Sequence, residues 1–171
     1  MNFYDLCMDI YSIISILPRF SFQTPKKTLP SNGIYLFFEQ GETIDNNLGR
    51  IVRIGTHKAD GRFPKRIRQH YGNISSLKGN KNSSVFRKHL GGAMLRKVND
   101  ADPRLNDWLT QDGPTFQEVE ENVSKVLRER FTFSCFHVEN KGVFRKRFNS
   151  AFSAIFLGTT INKLAGQLCC K

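Results

Sequence analysis

The stretch Ser31-Asn32-Gly33-Ile34-Tyr35-Leu36-Phe37-Phe38-Glu39 decides how the rest of the chain is read. Aromatic and β-branched residues crowd it, a glycine opens it and Gln40-Gly41 closes it, which is the composition of a strand. Period two puts Ile34, Leu36 and Phe38 on one face and Tyr35, Phe37 and Glu39 on the other. Tyr35 is therefore expected to look outward while its neighbours fill the core.

Working outward, Arg50 to Gly55 reads as a second strand, joined to the first by a polar connection that suits an antiparallel pair. A helix is expected to start at Phe63-Pro64, where proline is tolerated in a first turn, and to end at Tyr71 with Gly72 as its C-cap. On it Arg66 and His70 lie four apart and share a face. Residues 73–82 form a polar loop. Ser83 or Ser84 then caps a helix through Lys97 whose apolar side is Val85, Leu90, Met94 and Leu95. A short segment at Leu105–Leu109 carries the single tryptophan, and a further helix runs from Thr115 to Arg130. Phe131 to Val138 alternates as a third strand, and RKRFNSAFSAIFL reads as a last helix. The segments are an N-terminal helix and linker (1–29), a domain (30–158) and a poorly specified tail (159–171).

The first seventeen residues, MNFYDLCMDIYSIISIL, are apolar, but Asp5 and Asp9 interrupt them and no basic residues precede them. They are also shorter than the ~20 apolar residues a membrane span needs. An amphipathic helix with Asp5 and Asp9 on its wet side is expected, and no membrane partner. Four cysteines, Cys7, Cys135, Cys169 and Cys170, include no C-x-x-C pair, which argues against a disulfide framework or a zinc site and for a reducing, cytoplasmic setting. With 171 residues, 39% hydrophobic and 12% aromatic, the chain has the composition of a folded domain.

The net charge is +11, and nearly all of it lies in one third of the chain. Residues 1–50 hold 4 Lys/Arg and 5 Asp/Glu, residues 51–100 hold 12 and 2, and residues 101–171 hold 10 and 8. Such a local field concentrates polyanions, and each cation laid on a phosphate releases counterions. Nucleic acid is the expected partner. The rival is a solvated basic face kept for solubility.

A tyrosine on a strand, an arginine and a histidine one helical turn apart, and a basic surround together make a phosphodiester site on physical grounds. The phenol can take a proton, the guanidinium can hold developing charge and the imidazole can relay protons. These residues, SNGIYLF followed by IVRIG and then FPKRIRQHYG, also resemble the GIY-YIG nuclease family over roughly residues 30–157.

The resemblance implies an α+β fold, a small three-stranded antiparallel sheet flanked by helices, here with an added N-terminal helix. It also implies a DNA endonuclease that hydrolyses phosphodiester bonds with one divalent ion, Mg²⁺ or Mn²⁺. Tyr35 matches the tyrosine that activates the attacking water, Arg66 the arginine on the scissile phosphate, and His70 the histidine beside it.

Two positions depart from the family pattern. Arg53 stands where the second tyrosine is usual, so His57, two residues past Gly55, is the candidate proton carrier. The metal-binding glutamate falls on Asn149, whose carboxamide lacks the charge a hard cation favours. Three explanations stay open: an alignment shifted by a turn, a carboxylate supplied from among Glu118, Glu120, Glu121, Glu129 and Glu139, or a damaged metal site. The glutamates at 118, 120 and 121 are expected on a solvated helix face. Lys65, Arg68, Lys78, Lys81, Arg87 and Lys88 are assigned to DNA phosphates. The alternative function is a catalytically impaired, nuclease-like DNA-binding module. A homodimer is left open, because one such site cuts one strand at a time.

Overall fold

Gly33–Thr43 is extended throughout and becomes the central strand of a sheet. The structure is a computed structural model that describes residues 3–44 and 47–139. Its elements are α1 (Phe3–Ser15), β1 (Gly33–Thr43), β2 (Gly49–Thr56), α2 (Phe63–Tyr71), α3 (Val85–Val98), α4 (Arg104–Leu109), α5 (Gln117–Arg130) and β3 (Phe131–His137). The architecture is α+β. The sheet has the order β2-β1-β3 with both pairings antiparallel. The described residues divide into a sheet unit, those up to 63 with 131–139, and a helical unit, residues 64–130.

In the sheet unit both faces of β1 are covered. The residues from Ile34 to Phe38 are all buried, with Tyr35 at 0% exposure, so the expectation that Tyr35 looks outward is corrected. A central strand is covered by other elements on each face, and alternation then separates two cores instead of core from water. Ile34, Leu36 and Phe38 face α1, which lays Tyr11 and Ile14 on them with Ile10 and Leu17 at the margin. Ile10, Tyr11 and Ile14 sit at i, i+1 and i+4 of that helix, Leu17 follows its end, and Asp5 and Asp9 fall on the exposed side. The other face is aromatic: Tyr35, Phe37, Phe63, Phe133 and Phe20 stack tilted or edge-on at centroid separations of 5.5 to 6.2 Å. Buried aromatic pairs of this kind contribute about 0.5–1.5 kcal/mol beyond their area. The backbone of Phe20 also exchanges both hydrogen bonds with Phe133, at 2.7 and 2.9 Å, on the outer edge of β3.

β2 contains an irregularity that its sequence does not advertise. Phe37 pairs with Arg53 but Phe38 pairs with Ile51, so Val52 is an extra residue in a bulge. The bulge lets Ile51 and Ile54, three apart, enter the same core cluster.

In the helical unit, α3 is capped by Ser84, whose hydroxyl accepts the Arg87 amide at 3.2 Å. The predicted apolar stripe of α3 is only partly right. Leu95 is buried, but Val85 is 43% exposed and the inward positions also include Arg87, Gly91 and Gly92. Trp108 of α4 lies against Gly91 and donates its indole N–H to the Lys88 carbonyl at 2.7 Å. Among the described residues no helix is long and apolar enough to cross a membrane. The segment RKRFNSAFSAIFL and the tail after it lie outside the described residues.

Candidate active site

Tyr35 and Gly55 stand opposite each other in the β1–β2 register. A Cβ built on Gly55 would meet the Tyr35 hydroxyl at 2.1 Å, so the phenol lies directly over the glycine, and no other residue leaves it room. The ring is held edge-on by Phe37 and tilted against Phe63. On the opposite side of β1, Tyr35 pairs with Cys135 of β3, whose thiol burial pushes up to about 11. The spacing of the two motifs therefore has a structural purpose: one supplies the phenol and the other the hole it lies over.

Arg53 is the register partner of Phe37, so its side chain leaves the sheet on the same face as Tyr35. Its Nε is buried and has no hydrogen-bond partner among the described residues. A buried donor left unpaired costs roughly 1–3 kcal/mol, a cost that the Nε atoms of Arg50 and Arg128 share.

His57 sits between two backbone groups of the sheet unit. Its Nε2 accepts the Gly33 amide at 3.2 Å, and its Nδ1 faces the Ala59 carbonyl at 2.6 Å. A backbone N–H can only donate and a carbonyl can only accept, so the partners fix a neutral imidazole protonated at Nδ1. Both nitrogens clip the start of β1 to the loop after β2, and a second proton would break the Gly33 bond. His57 is 4% exposed and in this structure serves as a structural clip.

Arg66 and His70 belong to the helical unit and, as expected, share a face of α2. Arg66 Nη1 donates to the Ser83 carbonyl at 2.6 Å and to Gln69 Oε1 at 3.3 Å. Its Nε and Nη2 make no hydrogen bond or ion pair with another described residue. His70 Nδ1 lies 2.8 Å from Ser84 Oγ, and its ring is fully buried edge-on to Phe86. The imidazole thereby braces the capping serine of α3.

Five of the six cations assigned to DNA separate into two groups. Lys65, Arg68 and Lys78 line one open cavity. Arg87 and Lys81 do not face solvent at all, at 0% and 1% exposure, and their assignment to phosphates is corrected. Arg87 forms a buried ion pair with Glu120 at 2.6 Å and also donates to the Glu120 and His70 carbonyls and to Ser124 Oγ. Glu120 is thus 3% exposed, not on a solvated face, because it is the counter-charge of Arg87. Its second oxygen accepts the Lys81 amide. The Lys81 ammonium reaches the Thr110 carbonyl at 3.1 Å and sits over Trp108, and burial lowers its pKa. Lys88 lies half-buried on α3.

Asn149 lies outside the described residues. Among the described residues no group of three His, Cys, Asp or Glu side chains could hold a metal ion. Three of the buried or half-buried carboxylates are engaged with arginines: Glu120 with Arg87, Asp102 with Arg104, Glu42 with Arg50. These residues do not fit a divalent-ion site.

No curated protein and no solved structure matches the chain. A family model described as a GIY-YIG domain matches residues 1–154, so the match takes in α1 as well as the sheet and the helical unit. With the GIY tyrosine seated over the glycine of the second motif, the chain belongs to the GIY-YIG family of nuclease domains.

Proposed function

We propose that this protein is a DNA endonuclease that hydrolyses a phosphodiester bond at the aromatic face of its sheet. The observation that carries the reading is the phenol of Tyr35 over Gly55 with the unpaired, buried Nε of Arg53 on the same face of the sheet. Such a pair offers a proton acceptor and a phosphate donor on one wall, and the arginine replaces the second tyrosine as a contact to phosphate oxygen. Tyr35 takes the proton of the attacking water. Arg66, with Nε and Nη2 uncommitted, supplies the two parallel donors that match a phosphate edge. His70 acts by positioning, through Ser84.

Nucleases of this family generally use divalent metals, and such an ion, Mg²⁺ or Mn²⁺, would clamp phosphate oxygens and lower the pKa of water. The described residues do not furnish its ligands, so no step is derived through it. Nothing on the described residues supports a homodimer.

A second reading is favoured by two observations. Tyr35 is fully packed, and a base must come within hydrogen-bond reach of the proton it takes. The position that the family resemblance assigns to the metal ligand is Asn149, which is not a carboxylate. On this reading the domain binds DNA and cuts poorly. Plasmid nicking by the natural protein and by Asn149→Glu, with Mg²⁺, Mn²⁺ and EDTA, separates the two. An endonuclease nicks as it stands and gains little from the glutamate. An impaired site gains orders of magnitude in metal-dependent nicking while DNA affinity hardly moves. If neither protein nicks, the nuclease proposal is withdrawn.

A further inference from the structure

The cavity of the helical unit differs from the rest of the basic surface in how it is built. Lys65, Arg68, Gln69 and Gly72 fall at i, i+3, i+4 and i+7, so α2 and its end form one wall. The loop from 73 to 80 forms the other, and it is fixed from behind. Asn73 Oδ1 accepts the amides of Ser75 and Ser76, and the Asn73 amide donates to the Lys78 carbonyl at 2.7 Å. Arg128 of α5 donates to the carbonyls of Asn73 and Ile74, and Ser124 donates to that of Leu77 at 2.6 Å. Gly79 lies flat on the Arg87 guanidinium, where a Cβ would come within 2.0 Å of Nη2. The loop's shape is therefore set before any ligand arrives, which lowers the ordering cost of binding.

Between these walls is a cavity of about 510 Å³ whose lining holds three cations and no carboxylate. The side chains of Lys65, Arg68 and Lys78 have no hydrogen bond or ion pair with another described residue. By contrast Arg50, Arg87 and Arg104 each have a carboxylate. Three uncompensated cations converging on one concavity call for an anion of high charge density. The space is larger than a phosphate alone needs, and within the lining Ile74, 48% exposed, adds an apolar surface.

We propose that this cavity is a nucleotide subsite, which takes one nucleotide of a DNA strand with its phosphate on Lys65, Arg68 and Lys78 and its base against Ile74. The inference rests on the reading that the protein acts on DNA, and adds where the strand is gripped within the helical unit. It also separates the grip from the cations that hold the fold.

Binding of a fluorescent single-stranded oligodeoxynucleotide to the full chain, measured in EDTA across a salt series, tests the proposal without requiring cleavage. Arg68→Gln and Lys78→Gln should each flatten the slope of log K against log salt by about 0.7, the value for one single-strand phosphate. Ile74→Ala should weaken binding at every salt concentration without changing the slope, as loss of a base contact does. Lys97→Gln, an exposed charge at the end of α3, should leave the slope as it was. Unchanged slopes in the pocket variants, or an equal drop in Lys97→Gln, would overturn the subsite while leaving DNA binding standing. Full binding by Ile74→Ala removes the base contact and with it the nucleotide assignment. If the natural protein fails to bind the oligonucleotide, the DNA reading falls and the subsite with it.

Discussion

Each of the two units of this molecule has an interior of a different kind. The sheet unit is apolar on both faces of its central strand, and the tyrosine that carries the family motif is packed among phenylalanines. The helical unit has an ion pair at its centre, Arg87 with Glu120, which ties the end of α2, α3 and α5 together through one guanidinium. The contrast teaches that the charge of this chain is not one property. Some cations hold the fold, others line a cavity without a counter-charge, and only burial and partners separate them.

The sharpest way to break the contrast is to strand the buried charge. Glu120→Ala leaves Arg87 desolvated and unpaired, which costs about 3–5 kcal/mol. Trp108, the single tryptophan, reports on this unit, so its fluorescence in a urea titration measures the loss. Replacing both partners, Arg87→Met with Glu120→Leu, should recover most of it. A loss below about 1 kcal/mol in Glu120→Ala would show that the pair is not what holds the helices.

In the sheet unit the corresponding intrusion is a methyl group. Gly55→Ala places a carbon where the Tyr35 hydroxyl lies, and overpacking of this kind costs about 1–3 kcal/mol. Adding Tyr35→Ala removes the clash, so the double variant should be less destabilised than the sum of the two single ones. Strict additivity would mean that the phenol does not rest on Gly55.

His57→Ala removes two buried bonds to backbone and should cost roughly 1–3 kcal/mol. The bell of any pH–rate profile should keep its shape in this variant. Loss of a limb titrating near ~6.5 would return His57 to the chemistry.

The smallest effect is alkaline. Burial raises Cys135 to about 11 and pushes Tyr71 upward as well. Below the ordinary thiol range both states keep these protons, so nothing is gained or lost. Above pH 9 the unfolded chain releases them first, and stability should fall as pH rises toward 11. Melting temperatures between pH 8 and 10.5 follow this fall, and Cys135→Ala should flatten part of it.

Much of this was legible in the sequence, because glycine, proline and serine punctuate it where the backbone turns. α2 runs from Phe63 to Tyr71, Ser84 caps α3, and β3 begins at Phe131, each where composition places it. The direction of Tyr35 was not legible, since period two separates two faces without saying that both are buried. Nor was the fate of Arg87, whose counter-charge Glu120 lies 33 residues further along the chain. His57 read as a loose imidazole because its partner Gly33 is 24 positions away. Local pattern shows which residues are on an element. Whether a polar group is free or satisfied depends on neighbours that only the fold supplies.

The central claim is that the phenol at 35 does chemistry. Single-turnover nicking of supercoiled plasmid by the natural protein and by Tyr35→Phe, with DNA affinity and melting temperature measured on the same samples, tests it directly. The account predicts that the natural protein nicks, that Tyr35→Phe does not, and that affinity and melting temperature stay close to those of the parent. Equal nicking by both proteins, or a loss of cleavage that only tracks a loss of folding, would contradict it.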